Sequence, residues 1–462
     1  MTVATSMSGH SSFFPAAPRK GSETGLASSF LLNLILKTFY YRQEMLGHEV
    51  ARELHLPFAV VDEYIQHLRR EKLLEVGGST TTAAATYRFQ ITEGGRQRAR
   101  EALKVSQYVG PAPVPLEAYI DGLLAQTTTH APANRDLLRN ALAGMVLPPD
   151  IIEKIGPALE CRRALFLFGN PGNGKTALAE GIGQALGGTL LIPYAVEIDG
   201  QVIKVMDPIF HGYEPTSTDA ALDELQSNIQ AGVLDDDSYG GEAAVYDDTI
   251  ATIGADRFDE RWVEVQRPVV FAGGELELDM LDLTFNPREG FYEAPLHMKA
   301  NGGVFIIDDF GRQLVSPRDL LNRWIVPLDK GVDFLTLHTG RKFPIPFRAM
   351  VIFATNLKPQ ELADEAFLRR IRYKVEIGNP SREEFVQIFW QECANAGIKP
   401  DEQAVDFIYE VYYEGMRISP RCCHPRDLLQ KVVETARWRG NAPTLDRDIL
   451  DLVCSSYFLG ED

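Results

Sequence analysis

The sequence predicts an α/β protein: a parallel sheet with a small helix-and-hairpin unit before it and an all-helical unit after it. Three observations carry that reading. Between about residues 141 and 378, apolar runs at 164–168, 303–307 and 349–354 alternate with helical stretches, the pattern of strands joined by crossover helices. Beyond Gly378-Asn379-Pro380 the pattern is helical only, to about residue 455. Ahead of the Pro-rich stretch at 110–115, three helical runs lead into two short strand-like runs.

Taken in order, residues 1–24 are small, polar and punctuated by Pro and Gly, which predicts a disordered leader. Residues 25–108 form the first unit, with helices at 29–41, 46–54 and 57–72. In the third helix Val60, Val61, Tyr64, Ile65 and Leu68 share one face. Strands at 73–76 and 87–91 flank a Gly/Thr/Ala-rich loop, and Thr92 opens a closing helix. This order of elements resembles a winged helix-turn-helix domain over about eighty residues. The third helix would make base contacts through Gln66, Arg69 and Arg70, but Asp62 and Glu63 would repel phosphates and the wing carries no Lys or Arg. DNA binding and docking of a protein both remain open on the sequence. A linker and helix fill 109–140. The α/β core occupies 141–378 and carries an acidic insertion at about 205–300. The helical unit, 379–462, opens with Ser381 and Glu384 at capping-box spacing.

The apolar run Ala164-Leu-Phe-Leu-Phe168 leads straight into Gly169, Asn170, Pro171, Gly172, Asn173, Gly174, Lys175 and Thr176, and then into a helix. This is the GxxxxGK[ST] phosphate-binding loop (Walker A) in its required strand–loop–helix setting. Its glycines let backbone N–H groups turn toward phosphate oxygens, and the helix N-terminus adds a positive dipole. Lys175 is placed to reach the β- and γ-phosphates of ATP, and the Thr176 hydroxyl to ligate Mg²⁺. A second apolar run ends in Asp308-Asp309 (Walker B). Asp308 is the expected second Mg²⁺ ligand, and Asp309 the group that polarises the attacking water.

The chain resembles the AAA+ ATPases over about residues 145–455, and from Asp308 onward the resemblance is specific. The strand ending in Thr355-Asn356 matches the family's sensor-1 strand, which implies that Asn356 orients water. Asp364-Glu-Ala-Phe-Leu-Arg369-Arg370-Ile371 is similar to the D-x-A-x-x-R-R segment of Clp-type unfoldases, which assigns Arg369 and Arg370 as fingers reaching a neighbouring subunit's nucleotide. His424-Pro-Arg426 looks like the start of the sensor-2 helix of an AAA+ lid, with Arg426 facing the phosphates. The resemblance implies ATP and Mg²⁺ as cofactors, a homo-oligomeric ring of six, and chaperone-like remodelling of an unknown protein or protein–DNA target. There are two departures. The family usually has Glu where Asp309 stands, which predicts slow turnover. Lys175 and Asp308 are 133 residues apart, about 70 more than two βα units need. The excess is expected to carry the specific function: residues 286–300 with Phe291 and Tyr292 exposed, and a hairpin at 334–343 with Arg341 and Lys342 near its tip. Both are read either as pore-facing loops or as packed ones.

Charge and composition narrow the classes. The chain has 462 residues with 46 basic and 64 acidic side chains, net −18, which argues against non-specific nucleic-acid binding. Residues 1–108 are net +3, whereas 211–260 hold 13 acids against Arg257 alone and are expected to be solvent-exposed. Five cysteines without a CxxC pair suit neither a disulfide framework nor a zinc site, and predict a reducing cytoplasm. The run at 30–41 is too short to span a bilayer and lacks signal-peptide features, so no membrane partner is expected. The rival reading is a DNA-binding regulator in which ATP mainly controls assembly. A metabolic kinase is disfavoured, since it needs neither Asn356 nor the Arg369–Arg370 pair.

Overall fold

The computed structural model describes residues 13–79, 87–128, 135–212, 258–362 and 365–459. The first unit holds α1 (Ser28–Arg42), β1 (Glu44–Leu46), α2 (Gly47–Glu53), α3 (Phe58–Arg70), β2 (Leu74–Ser79), β3 (Tyr87–Ile91) and α4 (Glu93–Val105). The strands form an antiparallel sheet in the order β1-β3-β2, and β1 is an element that the sequence pattern did not disclose. On α3 the five apolar residues expected to share a face are all buried. Lys37, which interrupts the apolar run of α1, is buried as well. Its ammonium donates to the carbonyls of Ser106 (3.2 Å) and Tyr108 (2.6 Å), and burial lowers its pKa to about 8.

Residues 13–24 correct the expectation of a disordered leader running to residue 24; residues 1–12 lie outside the described residues. Phe13 meets Trp262 edge-on at 5.2 Å, Phe14 meets Phe258 at 5.7 Å, and Asp259 N–H donates to the Pro15 carbonyl at 2.9 Å. The chain then turns through a 3₁₀ helix, Gly21–Thr24, against α3, where Gly21 N–H donates to Glu63 Oε2 (3.1 Å). Arg261, 5% exposed and paired with Asp259, donates from Nη1 to the carbonyls of Thr24 and Pro113, so one guanidinium ties together the leader, the linker and the core. Aromatic anchors without periodicity leave no pattern to read, which is why this strap escaped the sequence.

The core is a parallel sheet in the order β10-β13-β16-β5-β17: Val269–Ala272, Val304–Ile307, Met350–Thr355, Leu165–Phe168 and Tyr373–Glu376. Apart from Thr355 at the end of β16, four of its strands are apolar because helices cover both faces, whereas the edge strand β17 carries Lys374 and Glu376. The first strand in sequence lies between the fourth and the fifth, and a side chain leaving the C-terminal end of any of the three adjacent strands β5, β16 and β13 faces the same crevice.

The long interval between Lys175 and Asp308 is largely structure. A mixed sheet, in the order β11-β12-β8-β7-β4, is built from Thr284–Asn286, Phe291–Glu293, Gln201–Lys204, Ala195–Ile198 and Val114–Pro115. A separate ribbon pairs β6 (Thr189–Pro193) with β9 (Trp262–Gln266). This corrects the expected insertion at 205–300, because β10 belongs to the core sheet. It also corrects the exposed aromatics: Tyr292 is fully buried and Phe291 partly so, both lying in β12. The hairpin at 334–343 forms from β14 (Val332–Thr336) and β15 (Lys342–Pro346), and it is the packed alternative that holds. Leu335, Phe343 and Ile345 are buried, His338 stacks on Phe285, and Arg341 pairs with Asp199. Most of the acidic segment, 213–257, lies outside the described residues; Asp259, at its edge, is buried against Arg261 rather than exposed.

The hairpin base carries a buried charge cluster. Asp333 is 2% exposed, with His297 Nε2 at 2.8 Å and Arg323 Nη1 at 2.6 Å, and Arg323 also reaches Asp282. Burial alone would raise the Asp333 pKa, but the His297 and Arg323 side chains outweigh it and hold the carboxyl at about 2. A depressed folded-state pKa adds stability above the unfolded value near 4 that is lost as pH falls toward 2, about 2 kcal/mol in all. Asp333→Asn removes the carboxylate that Arg323 and His297 face, leaves the Arg323 guanidinium short of its main partner, and is expected to lower unfolding free energy by about 3 kcal/mol in urea titrations at neutral pH. That deficit should shrink as pH drops from 4 to 2; a pH-independent deficit would mean that the cluster acts through packing alone.

The C-terminal unit has helices Arg382–Ala396, Glu402–Ile408, His424–Arg439 and Arg447–Tyr457. The capping box is present, with Ser381 N–H donating to Glu384 Oε2 (2.8 Å) and Glu384 N–H to Ser381 Oγ (3.2 Å).

Candidate functional site

The phosphate loop starts where β5 ends, and three of its glycines hold backbone conformations that other residues resist. Gly169, Gly172 and Gly174 have φ of 144°, 82° and 77°. At Gly169 there is also no room: a Cβ would lie 2.2 Å from the Ile377 carbonyl oxygen. The helix Lys175–Ala185 follows directly, so its free N–H groups point into the loop.

Five of the residues named from the sequence converge here. Lys175, 7% exposed, donates from Nζ to the carbonyls of Gly169 (3.1 Å) and Asn170 (2.9 Å) and to Asn356 Oδ1 (2.7 Å). Burial lowers the pKa of its ammonium, and the nearby carboxylates of Asp308 and Asp309 pull it back up. Thr176 Oγ1 donates to Asp308 Oδ2 at 2.8 Å, across the end of β13. Asn356, at the end of β16, donates from Nδ2 to Asp309 Oδ1 at 3.2 Å. Asp309 has φ +47°, a region where Asp is one of the tolerated residues, and this turn presents its carboxylate to Asn356. A hydroxyl and a carboxylate this close fit Mg²⁺, which takes few protein ligands and completes its octahedron with phosphate oxygens and water. Thr176 and Asp308 would hold it.

Three more were named: Arg369, Arg370 and Arg426. Arg369 and Arg370 precede β17. Because Tyr373 pairs with Leu165, they sit by the start of β5, whereas the loop begins beyond its end. From Ala164 to Gly169 is five residue steps, roughly 16 Å. Arg370 Nε donates to Asp329 Oδ2 at 2.7 Å. Asp364 lies outside the described residues. Arg426 is exposed in the first turn of its helix, 3.5 Å from its neighbour Asp427.

What touches the loop from the helical unit is the segment just before Arg426. Cys423 N–H donates to the Gly172 carbonyl (2.9 Å), Cys422 N–H donates to Asn173 Oδ1 (3.3 Å), and the Arg421 side chain lies 3.6 Å from where a Gly172 Cβ would be. Asn379 Oδ1 accepts from both Asn170 (3.1 Å) and Asn173 (2.9 Å). Sequence reasoning missed Arg421, Cys422, Cys423 and Asn379; the only signal was their position beside motifs already marked. All five cysteines are free thiols, and burial raises the Cys422 thiol pKa to about 11. Between the loop and the helical unit lies a mainly apolar cavity of about 150 Å³, lined by Val146, Ile151, Gly174, Ile377, Asn379 and Gln391, among others.

A family model described as "Domain of unknown function (DUF8689)" matches residues 381–456. Comparison with curated proteins returns no match. Similar solved structures include a RuvB mutant from Thermotoga maritima (12% identity, 66% of this chain and 69% of that one, TM-score 0.35). Domain III of the replication initiation protein DnaA from Thermotoga maritima is similar at 13% identity over 71% of this chain and all of that one, TM-score 0.33. NtrX from Brucella abortus in complex with ATP is similar at 13% identity over 87% and 72%, TM-score 0.36. Among the described residues no helix is long and apolar enough to cross a membrane.

Proposed function

We propose that this chain is a Mg²⁺-dependent ATP hydrolase of the AAA+ type that works as a homo-oligomeric ring, taken as six copies, in the cytoplasm to remodel a protein target. The observation that carries the reading is the convergence of Lys175, Thr176, Asp308, Asp309 and Asn356 at the ends of three adjacent parallel strands. ATP would place its phosphates in the loop, on the N–H groups of residues 169–176, and its base in the neighbouring cavity. Lys175 would exchange the Gly169 and Asn170 carbonyls for phosphate oxygens. Bound Mg²⁺ supplies charge neutralisation on those oxygens. Asp309 would accept a hydrogen bond from the attacking water, and Asn356, bonded to both Asp309 and Lys175, would hold that water and the phosphate in one frame. Arg369 and Arg370, at the far end of the sheet, would act on the nucleotide of another copy, which is why a ring is part of the proposal. Arg421, Cys422 and Cys423 give the helical unit, read as a lid, a direct grip on the loop through which nucleotide state is transmitted. The winged-helix-like unit is read as a protein-docking module rather than a DNA reader. Glu63 of α3 is engaged by the strap, Gln66 bonds to Asp62, Arg69 donates to Gln66, and Arg88 and Arg98 pair with Glu44 and Glu71.

Asp309→Ala tests the reading. It is expected to leave ATP affinity within about twofold and to lower the steady-state hydrolysis rate by ~10²–10⁴. Unchanged hydrolysis would sink the role of Asp309, and absent hydrolysis in the wild-type chain would favour the rival in which ATP only controls assembly.

A further inference from the structure

At the N-terminal edge of the core sheet, opposite the phosphate loop, lies a cavity of about 830 Å³. Arg162, Arg163, Arg348, Arg369, Arg370 and Arg372 all line it. Lys330 is a further basic group; Arg370 is held by Asp329, the one acidic residue of the lining, and Arg369 and Arg370 have further partners, which leaves Arg162, Arg163, Arg348, Arg372 and Lys330 to account for. The C-terminal ends of the helices Pro149–Glu160 and Pro317–Lys330 also face this edge, and their partial charges, about half a unit each, offset roughly one cation. A large positive excess remains.

Two residues stand out within this excess. Arg162 Nη1 is buried and has no hydrogen-bond partner among the described residues, an arrangement that costs free energy unless something outside the chain completes it. The pKa of Arg162 is lowered to about 10, first by burial and then by the neighbouring charge of Arg267. Its backbone, at φ +46°, occupies the left-handed position after a helix where glycine is usual, so the position tolerates backbone strain while presenting a guanidinium. Arg348 crosses the end of the helix Pro317–Lys330 over Gly331: a Cβ there would lie 2.9 Å from Arg348 Nη1, and Gly331 has φ +65°. Guanidinium groups match phosphate oxygens in planar, two-pronged hydrogen bonds, whereas a single small anion would satisfy only a fraction of five cations.

We propose that this cavity is an anion site for a ligand carrying two or more phosphate groups, built on Arg162, Arg163, Arg348 and Lys330 and separate from the phosphate loop. Its existence does not depend on the loop binding ATP. The ligand is a free polyphosphate anion taken up by one chain, distinct from the nucleotide that Arg369 and Arg370 are proposed to reach in another copy.

The probe is tripolyphosphate, titrated calorimetrically into the full-length Lys175→Ala chain, so that the loop contributes little, with light scattering for mass. One site per chain is expected, weakened about tenfold or more by Arg162→Gln and, independently, by Arg348→Gln. Arg348 is exposed, so that variant should fold as well as its parent, and the melting temperature without anion checks both. Binding at single-chain mass identifies a free anion as the source. Binding seen only once the chain assembles overturns the proposal, because the anion then belongs to the shared site between copies rather than to this cavity alone. No binding in either state, or binding indifferent to both substitutions, overturns the proposal. If ATP fails to bind the wild-type loop while tripolyphosphate still binds here, the proposed function falls and this site stands.

Discussion

Lys175→Ala is expected to abolish ATP turnover and to weaken ATP binding by about ten- to a hundredfold. A hydrogen bond from an ammonium to a phosphate contributes about 1.5–3 kcal/mol, which sets the affinity loss. The turnover loss should be larger, because the amine also meets charge that develops during phosphoryl transfer. The geometry adds a second route to the same result. Lys175 joins Gly169, Asn170 and Asn356 through one nitrogen, so alanine leaves two loop carbonyls and the Asn356 side chain without their donor. A thermal melt in the absence of nucleotide separates the two routes, since only loop collapse would lower it. Hydrolysis at the wild-type rate would remove the loop from the chemistry.

Arg370→Ala should lower hydrolysis per assembled chain by ~10³ while leaving ATP affinity within about twofold. Arg370 is at the wrong end of β5 to reach its own chain's loop, so its effect must depend on contact between chains. In the wild type, specific activity should therefore rise with protein concentration, and in Arg370→Ala that rise should vanish while scattering mass still increases. Stability is not expected to suffer, because the Arg370–Asp329 pair is solvent-accessible, and such pairs contribute about 1 kcal/mol or less. A loss of ATP affinity equal to the loss of rate would place Arg370 in its own chain's site and contradict the shared-site account.

The core site was legible because its chemistry is written in contiguous residues. A strand, a glycine-rich turn and a helix fix Lys175 and Thr176 locally, and an apolar run ending in a carboxylate fixes Asp308 at the same sheet edge. Asn356 was legible for the same reason, as the end of the next strand. The contacts that close over the loop were not, because Asn379 and Cys422 lie more than two hundred residues from Asn173 and meet it only through tertiary packing. Arg426 was placed by analogy of helix start; in the structure the chain just ahead of that helix makes the contact. The second sheet was illegible for a different reason. Its strands run from two to four residues, too short for an alternating pattern, so Phe291 and Tyr292 read as a surface loop although Tyr292 is fully buried. In the first unit, the i, i+1, i+4, i+5, i+8 pattern of α3 was long enough to be right residue by residue.

The central claim is an ATP·Mg²⁺ site made by Lys175, Thr176 and Asp308. Calorimetric titration of ATP into the full-length chain, with and without Mg²⁺ and in Asp308→Ala, tests it most directly. The account predicts one ATP per chain, bound more tightly with Mg²⁺, and a Mg²⁺ effect that disappears in Asp308→Ala. No binding in the wild type, or a Mg²⁺ effect that survives the loss of Asp308, would contradict it.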